Sequence, residues 1–372
     1  MKISIFSAFP PFRGGISQFS MRLSEKLEKE HELQIITFKS QYPNWLFPGK
    51  SQFDFNQKST LKSIIHRKIS TLSWVSYLKT VTFIKQHNPE LFITNYWMTF
   101  FSPFMGFIAR RLPEKTKKIA IVHNLTPHEK RFFDSALNAY FLKSYDGFIA
   151  LSQHVYDDLK KSVDKKKIIL LPHPPYNQFG EKVDRIQAQK DLNLETGKKT
   201  LLFFGIIRKY KGLDLLIEAF HHLDNSYQLI IAGEVYGKDE EIQNLIDKNQ
   251  NKERIHFFNQ FIPDDKVSLF FSATDFLVLP YRSGTQSGVA AIAKNYNTPI
   301  IATNTGGITE KLDLNRDVII NNIDFQSIKY AIELAFSQSH TSKIPMVRSN
   351  ESNYTWEDFS EELIKFSESI SK

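Results

Sequence analysis

Arg208 and Lys211 stand three residues apart in a turn closed by Gly212, directly behind the apolar run from Thr200 to Phe204. A guanidinium and an ammonium held in one short loop can neutralise the charge that grows on a phosphate leaving group as its bond breaks, without a metal. The other reading is two solvated loop cations. Further on, Thr285, Gln286, Ser287 and Gly288 precede a helix expected to begin near Val289, and small residues there let free backbone N–H groups approach a phosphate. Gly306 and Gly307, followed by Glu310, form a third such loop, which as a bare pattern is also an ordinary turn. The last two loops follow the apolar runs Phe276 to Leu279 and Ile300 to Ala302. Loops behind such runs are where an open α/β sheet holds phosphate-bearing ligands.

The amino-terminal half carries two constellations of its own. Gly14 and Gly15 join the first apolar run to a helical pattern, where glycine permits positive φ and close approach of a ligand. A tight strand-to-helix turn explains them equally. His123 and Asn124, then Pro127, His128 and Glu129, follow the run Lys118 to Val122. An imidazole there could hydrogen-bond a hydroxyl or help one lose its proton, or be a structural hydrogen-bonding residue. His154 and His173 read as structural.

Two series of short apolar runs alternate with helical patterns, the signature of parallel sheets with crossover helices. The first takes in Ile3 to Phe6, Leu33 to Thr37, Leu91 to Thr94, Lys118 to Val122, Gly147 to Leu151 and Ile168 to Leu171, with helices over Ser17 to Glu28 and Ser59 to Gln86. The second takes in Thr200 to Phe204, Tyr227 to Ala232, Ile255 to Phe257, Phe276 to Leu279, Ile300 to Ala302 and Val318 to Ile320. A polar stretch from Asn177 to Lys199 reads as a linker, and Thr355 to Phe366 as an amphipathic helix packed on another element. The expected division is 1–176, 177–352 and a terminal helix, 353–372.

Composition narrows the function classes. At 372 residues, 41% of them hydrophobic, the chain suits two cores rather than one. With no cysteine, thiolate metal sites and thiol nucleophiles are excluded, which is compatible with a cytoplasmic setting. The first apolar run is too short for a signal segment or a membrane span and reads as a strand. The net charge of +8 is scattered, and no nucleic-acid motif accompanies it, so no nucleic-acid partner is expected.

Taken in this order, the chain from Gly14-Gly15 to the Trp356 helix resembles the family-4 glycosyltransferases. The resemblance implies the α/β GT-B architecture, two doubly wound Rossmann-like domains facing across a cleft, with the terminal helix crossing back onto the first. It implies transfer of a hexose-type sugar from a nucleoside diphosphate to an acceptor hydroxyl, retaining the anomeric configuration, in polysaccharide or glycoconjugate synthesis. On it, Arg208 and Lys211 contact the pyrophosphate, with Arg208 displaced from the usual Gly-Arg pair, which reads Gly205-Ile206 here. Gly14, Gly15, Gly306, Gly307 and Glu310 line the donor pocket, Phe261 lies at the base-binding edge, and His123 faces the anomeric carbon. Asn124, His128 and Glu129 fall on the acceptor side.

The family's two glutamates, with seven residues between them, are missing: their positions fall at or beside Gly284 and at Ile292. Gln286 and Ser287 are the expected substitutes, with Gly288 beside them in the donor site. No cofactor is expected beyond the donor itself. No metal is expected either, since no Asp-x-Asp or His-rich cluster occurs. The expected acceptor is a glycan or lipid-linked sugar. The basic and apolar mix of Ser59 to Gln86 could rest at the inner face of an anionic membrane, or be a helix pair with one buried and one solvated face. Two other readings stay open: a catalytically impaired nucleotide-sugar-binding partner of another transferase, and a nucleotide-sugar epimerase on the same fold.

Overall fold

The computed structural model describes residues 1–42, 49, 51–54, 59–125, 132–164, 166–175, 179–284, 287–305, 308–309, 312–339 and 354–371. The chain divides into two compact units, one of residues 1–174 with 353–372, the other of residues 175–352.

In the first unit the order is β1 (Lys2–Phe6), α1 (Gly15–Leu27), β2 (Glu32–Ser40), β3 (Ile65–Ser70), α2 (Trp74–His87), β4 (Leu91–Tyr96), α3 (Ser102–Arg111), β5 (Lys117–Val122), α4 (Asp134–Leu142), β6 (Gly147–Ala150), α5 (Gln153–Ser162) and β7 (Lys167–Leu170). Its sheet is parallel throughout, in the order β3-β2-β1-β4-β5-β6-β7. Parallel strands need crossovers, and the crossover helices cover both faces, so the central strands are apolar on both sides. Alternate side chains accordingly enter two cores. Phe6, Phe92 and Phe148 pack with α2 to α5, while Ile3, Ile5, Ile93 and Ile149 pack with α1.

The second unit runs α6 (Arg185–Asp191), β8 (Lys199–Phe204), α7 (Leu213–His221), β9 (Tyr227–Ala232), α8 (Asp239–Asp247), β10 (Ile255–Phe258), α9 (Asp264–Ser272), β11 (Phe276–Leu279), α10 (Gly288–Asn295), β12 (Ile300–Thr303), β13 (Val318–Ile320) and α11 (Phe325–Ser339). Its sheet, in the order β10-β9-β8-β11-β12-β13, is again parallel.

The last helix, α12 (Trp356–Ser369), belongs to the first unit. Thr355 caps it reciprocally: its Oγ1 accepts from the Asp358 N–H at 3.1 Å, and its own N–H donates to Asp358 Oδ2 at 2.7 Å. Trp356, Phe359, Leu363 and Phe366, at helical spacing, enter the core beside Phe19 and Leu23 of α1.

Two expectations need correction. Ser59 to Gln86 is not helical throughout. Its first half forms the edge strand β3, whose Ile65 and Ile69 satisfy a strand's alternation as well as a helix's four-residue repeat. The stretch from Asn177 to Lys199 is not a plain linker, because α6 lies within it and buries Ala188 and Gln189, with Leu192 and Leu194 following them into the second unit's core.

Candidate functional site

Both sheets reverse their strand order once, and an open parallel sheet offers its ligand crevice at the carboxyl end of that reversal. In the second unit the reversal falls between β8 and β11. The loop behind β8 carries Arg208 and Lys211, and the loop behind β11 runs from Pro280 to Ser287.

These two loops are joined backbone to backbone. Gly212 adopts φ +68°, and a Cβ there would stand 2.0 Å from the Pro280 carbonyl oxygen, so no other residue fits. Arg282 completes the junction. Its N–H donates to the Tyr210 carbonyl at 2.7 Å and its Nη1 to the Lys209 carbonyl at 3.0 Å. Its guanidinium also grips Asp214 of α7 through two parallel bonds of 2.7 and 2.6 Å. Burial works against the Asp214 carboxylate, yet these bonds hold its pKa below the ordinary range.

Lys211 is 92% removed from solvent, and among the described residues it has no carboxylate partner. Its Nζ lies 5.5 Å from the Tyr281 ring centroid. Burial pulls its pKa below the usual lysine range, Tyr210 opposing and the nearby Arg208 adding to the shift. Arg208 itself is exposed, its guanidinium 5.3 Å from the Tyr236 ring. Two neighbouring cations, one of them buried, without a protein anion between them among the described residues, form an arrangement that an anionic ligand could neutralise.

Across from them Ser287 caps α10, accepting from the Ala290 N–H at 3.3 Å, and Gly288 opens the helix. Burial pushes the Tyr281 hydroxyl up to about 12, with a hydrogen bond to Ser287 opposing. Neither family glutamate position carries a carboxylate here. A Cβ at Gly284 would come within 2.9 Å of Ile308 Cδ1, and Ile292 is buried in the core. Phe261 is half-buried behind β10, beside the buried Ile262. Gln286, Gly306, Gly307 and Glu310 lie outside the described residues, as does Thr285.

In the first unit the reversal falls between β1 and β4. Gly14, at φ +103°, turns the chain from β1 into α1, and Gly15 is the helix's first residue. The Gly14 carbonyl accepts from the Ser17 N–H at 3.0 Å, so that the N–H groups of Gly15 and Ile16, the first two of α1, are the ones without an intrahelical acceptor.

His123 follows β5 on the same edge, its N–H donating to the Tyr96 carbonyl at 2.8 Å. Asn95, fully buried at the end of β4, donates from Nδ2 to Ser20 Oγ at 3.1 Å, which leaves Oδ1 to accept from His123 Nε2 at 2.8 Å. Ser20 in turn donates to the Ile16 carbonyl at 2.7 Å. The proton is thereby placed on Nε2, and Nδ1 keeps its lone pair, with no partner among the described residues. Phe19 lies edge-on at 4.8 Å. Burial, and then His173, pull the His123 pKa down to about 3. The imidazole is thus neutral at ordinary pH and a weak base, suited to accepting a hydrogen bond rather than removing a proton. Asn124 is half-buried beside it, and its buried Oδ1 has no hydrogen-bond partner among the described residues. His128 and Glu129 lie outside the described residues.

A group whose pKa falls on folding stabilises the fold fully above its unfolded value of about 6.5 and loses that contribution as pH drops towards the folded value. We expect unfolding free energy, measured in denaturant, to fall between pH 7 and 5 more steeply in the wild type than in His123→Gln. Equal slopes would contradict the neutral imidazole. Arg282→Ala should raise the donor KM about fivefold with little change in Tm, because the half-exposed pair contributes only about 1 kcal/mol. An unchanged KM would show that the loop junction does not need it.

The carboxyl-edge loops and the Lys211-Gly212 turn are readable in the sequence, whereas sequence reasoning misses Asn95, Tyr281 and the Asp214–Arg282 pair. Asn95 ends a run of strand residues, and a polar residue at a strand's carboxyl end is the one signal that could have marked it.

The glycosyl transferases group 1 family model matches residues 184–345, and the glycosyltransferase family 4 model matches residues 13–174. An uncharacterized glycosyltransferase of Methanocaldococcus jannaschii is 26% identical over 325 residues, 83% of this chain and 81% of that protein. Among solved structures, Anabaena HepE in complex with UDP and glucose aligns over 100% of both chains with a TM-score of 0.79 at 12% identity. Sucrose-phosphate synthase from Thermosynechococcus elongatus aligns over 99% of this chain and 98% of that one, with a TM-score of 0.76 at 17% identity. Matched in turn by these two models across its two parallel-sheet units, the chain belongs to the family-4 glycosyltransferases and has the GT-B fold.

Proposed function

We propose that the protein transfers a hexose-type sugar from a nucleoside diphosphate to an acceptor hydroxyl with retention, in the synthesis of a polysaccharide or glycoconjugate. The observation that carries this reading is Lys211, a buried ammonium beside Arg208 with no carboxylate partner among the described residues, at the carboxyl end of the sheet's reversal. A diphosphate bound there gains charge as the glycosidic bond breaks, so the two cations stabilise the transition state more than the ground state.

Retention follows most simply from departure and attack on one face of the sugar. The acceptor hydroxyl bonds to the anomeric carbon as the bond to the diphosphate breaks, and its proton passes to the leaving phosphate oxygen. Double displacement needs an enzyme carboxylate at the anomeric carbon, and neither Gly284 nor Ile292 supplies one. The neutral His123 accepts a hydrogen bond from a sugar hydroxyl at Nδ1 and so orients the ring, and Asn124 Oδ1 is available to an acceptor hydroxyl. The same cations neutralise the diphosphate, so the reaction runs without a divalent ion.

Uridine diphosphate sugars are the first donors to try, because the HepE structure holds UDP and glucose. The test is a panel of nucleotide sugars with acceptor glycans, reading nucleoside diphosphate release and the anomeric configuration of the product. A product that keeps the donor's configuration supports the reading. An inverted product, or epimerised donor without transfer, overturns it.

A further inference from the structure

We propose that Tyr96 and Asn138 are positioning residues that fix Asn124 for the acceptor hydroxyl. His123, Asn124 and Leu125 follow β5 at the carboxyl edge of the first sheet, and one tyrosine holds both ends of that segment. Tyr96 ends β4, paired with Val122 of β5. Its carbonyl accepts from the His123 N–H at 2.8 Å. Its hydroxyl donates to Oδ1 of Asn138 on α4, and Asn138 Nδ2 donates to the Leu125 carbonyl at 2.8 Å. Between the two held ends stands Asn124, whose buried Oδ1 has no hydrogen-bond partner among the described residues. The inference rests on the transfer reading, in which that oxygen receives the acceptor hydroxyl.

The relay has one sense only. A backbone carbonyl can only accept, so the Asn138 amide must turn its nitrogen to Leu125 and its oxygen to Tyr96, which spends the single proton of the tyrosine hydroxyl. Ser102 Oγ, 2.8 Å from the tyrosine oxygen, is then a donor to it. Burial pushes the Tyr96 hydroxyl up to about 12, the Ser102 hydrogen bond opposing, so the proton stays in place at ordinary pH. The ring is fully buried and stacked on Phe141 at 3.9 Å, and Leu125 is buried in the same core. A buried polar network whose members are all paired specifies one arrangement of the chain it holds. Support of the fold alone does not call for an amide oxygen buried without a partner, which costs free energy. A ligand hydroxyl donating to Asn124 Oδ1 removes that cost. His123 is held separately, its Nε2 by Asn95 and its N–H by a backbone carbonyl, so the side-chain relay acts on Asn124 and not on the imidazole.

Two variants test it. Tyr96→Phe removes the hydroxyl and keeps the stacked ring, and Asn138→Ala removes the other half of the relay at a half-buried helix position. Hydrogen exchange of the full chain without substrate, read by mass spectrometry, should be about tenfold faster across His123 to Leu125 in both variants, with the strands of the first sheet unchanged. With the donor and acceptor glycan that the nucleotide-sugar panel finds productive, each variant should raise the acceptor KM about tenfold and leave the donor KM and the affinity for nucleoside diphosphate at wild-type values. Adding Tyr96→Phe to Asn124→Ala should cost nothing further, because the relay acts through Asn124. Wild-type exchange in both variants, full additivity with Asn124→Ala, or a lowered Tm with donor and acceptor KM raised alike would overturn the proposal. Transfer with an unchanged acceptor KM in both variants would sink it alone, whereas a wild type with no productive pair would sink the transfer reading and, with it, the role given to Asn124.

Discussion

Replacing Lys211 with alanine should lower kcat/KM for the donor at least tenfold, about 1.4 kcal/mol of transition-state stabilisation or more. The loss should fall mainly on kcat, because the diphosphate carries more charge at the transition state than in the bound sugar nucleotide. Two further readings separate this from a folding defect. Lys211 is a buried cation with a lowered pKa and no carboxylate among the described residues, so its removal relieves desolvation and should leave Tm unchanged or raised. Arginine at the same position should not restore the rate, since a planar guanidinium does not fit a space shaped for one ammonium beside Tyr281. Normal kinetics in the alanine variant, with the fold intact, would remove Lys211 from the mechanism.

The largest effect on stability is expected at Phe19. Its ring is fully buried and meets four others edge-on: His123 at 4.8 Å, His173 and Trp356 at 5.1 Å each, and Phe359 at 5.5 Å. It therefore ties α1 to the terminal helix and to the His123 loop at once. Phe19→Ala leaves a cavity that rigid strands on one side and a capped helix on the other cannot close, and should cost about 3 to 5 kcal/mol. For a unit of this size that is a fall in Tm on the order of 10 °C by calorimetry. Because His123 loses its packing partner, turnover should fall as well, even below the new Tm. A loss of stability under about 1 kcal/mol would mean that α12 is held elsewhere.

Burial also decides which elements are legible in the amino-acid sequence. The strands β1, β4, β5, β8 and β9 are, because both of their faces are buried, which leaves short continuous apolar runs bounded by turns. The strand β3 is not, because an edge strand is half solvated. Its Ile65, Arg67, Lys68 and Ile69, with Ile64 before them, fit a helix as readily as a strand until β2 is known to pair with it. The helix α6 hides in polar sequence because so little of it, chiefly Ala188 and Gln189, is buried.

At the site, Lys211 and Gly212 are local signals, since turn and cation are adjacent in the chain. The Asp214–Arg282 pair spans 68 positions and has no local pattern. His123 is legible as a candidate, but its protonation is not. Only burial, the Asn95 carbonyl and the neighbouring His173 decide between a base and a neutral hydrogen-bond acceptor.

The central claim is that the carboxyl edge of the second sheet is a diphosphate site, and calorimetric titration of uridine, guanosine and adenosine diphosphates into the full chain tests it most directly. The expected result is saturable binding of at least one of them at one site per chain, with affinity at least tenfold weaker in Lys211→Ala. Binding of none of the three by a folded protein, or equal affinity in the two proteins, would contradict it.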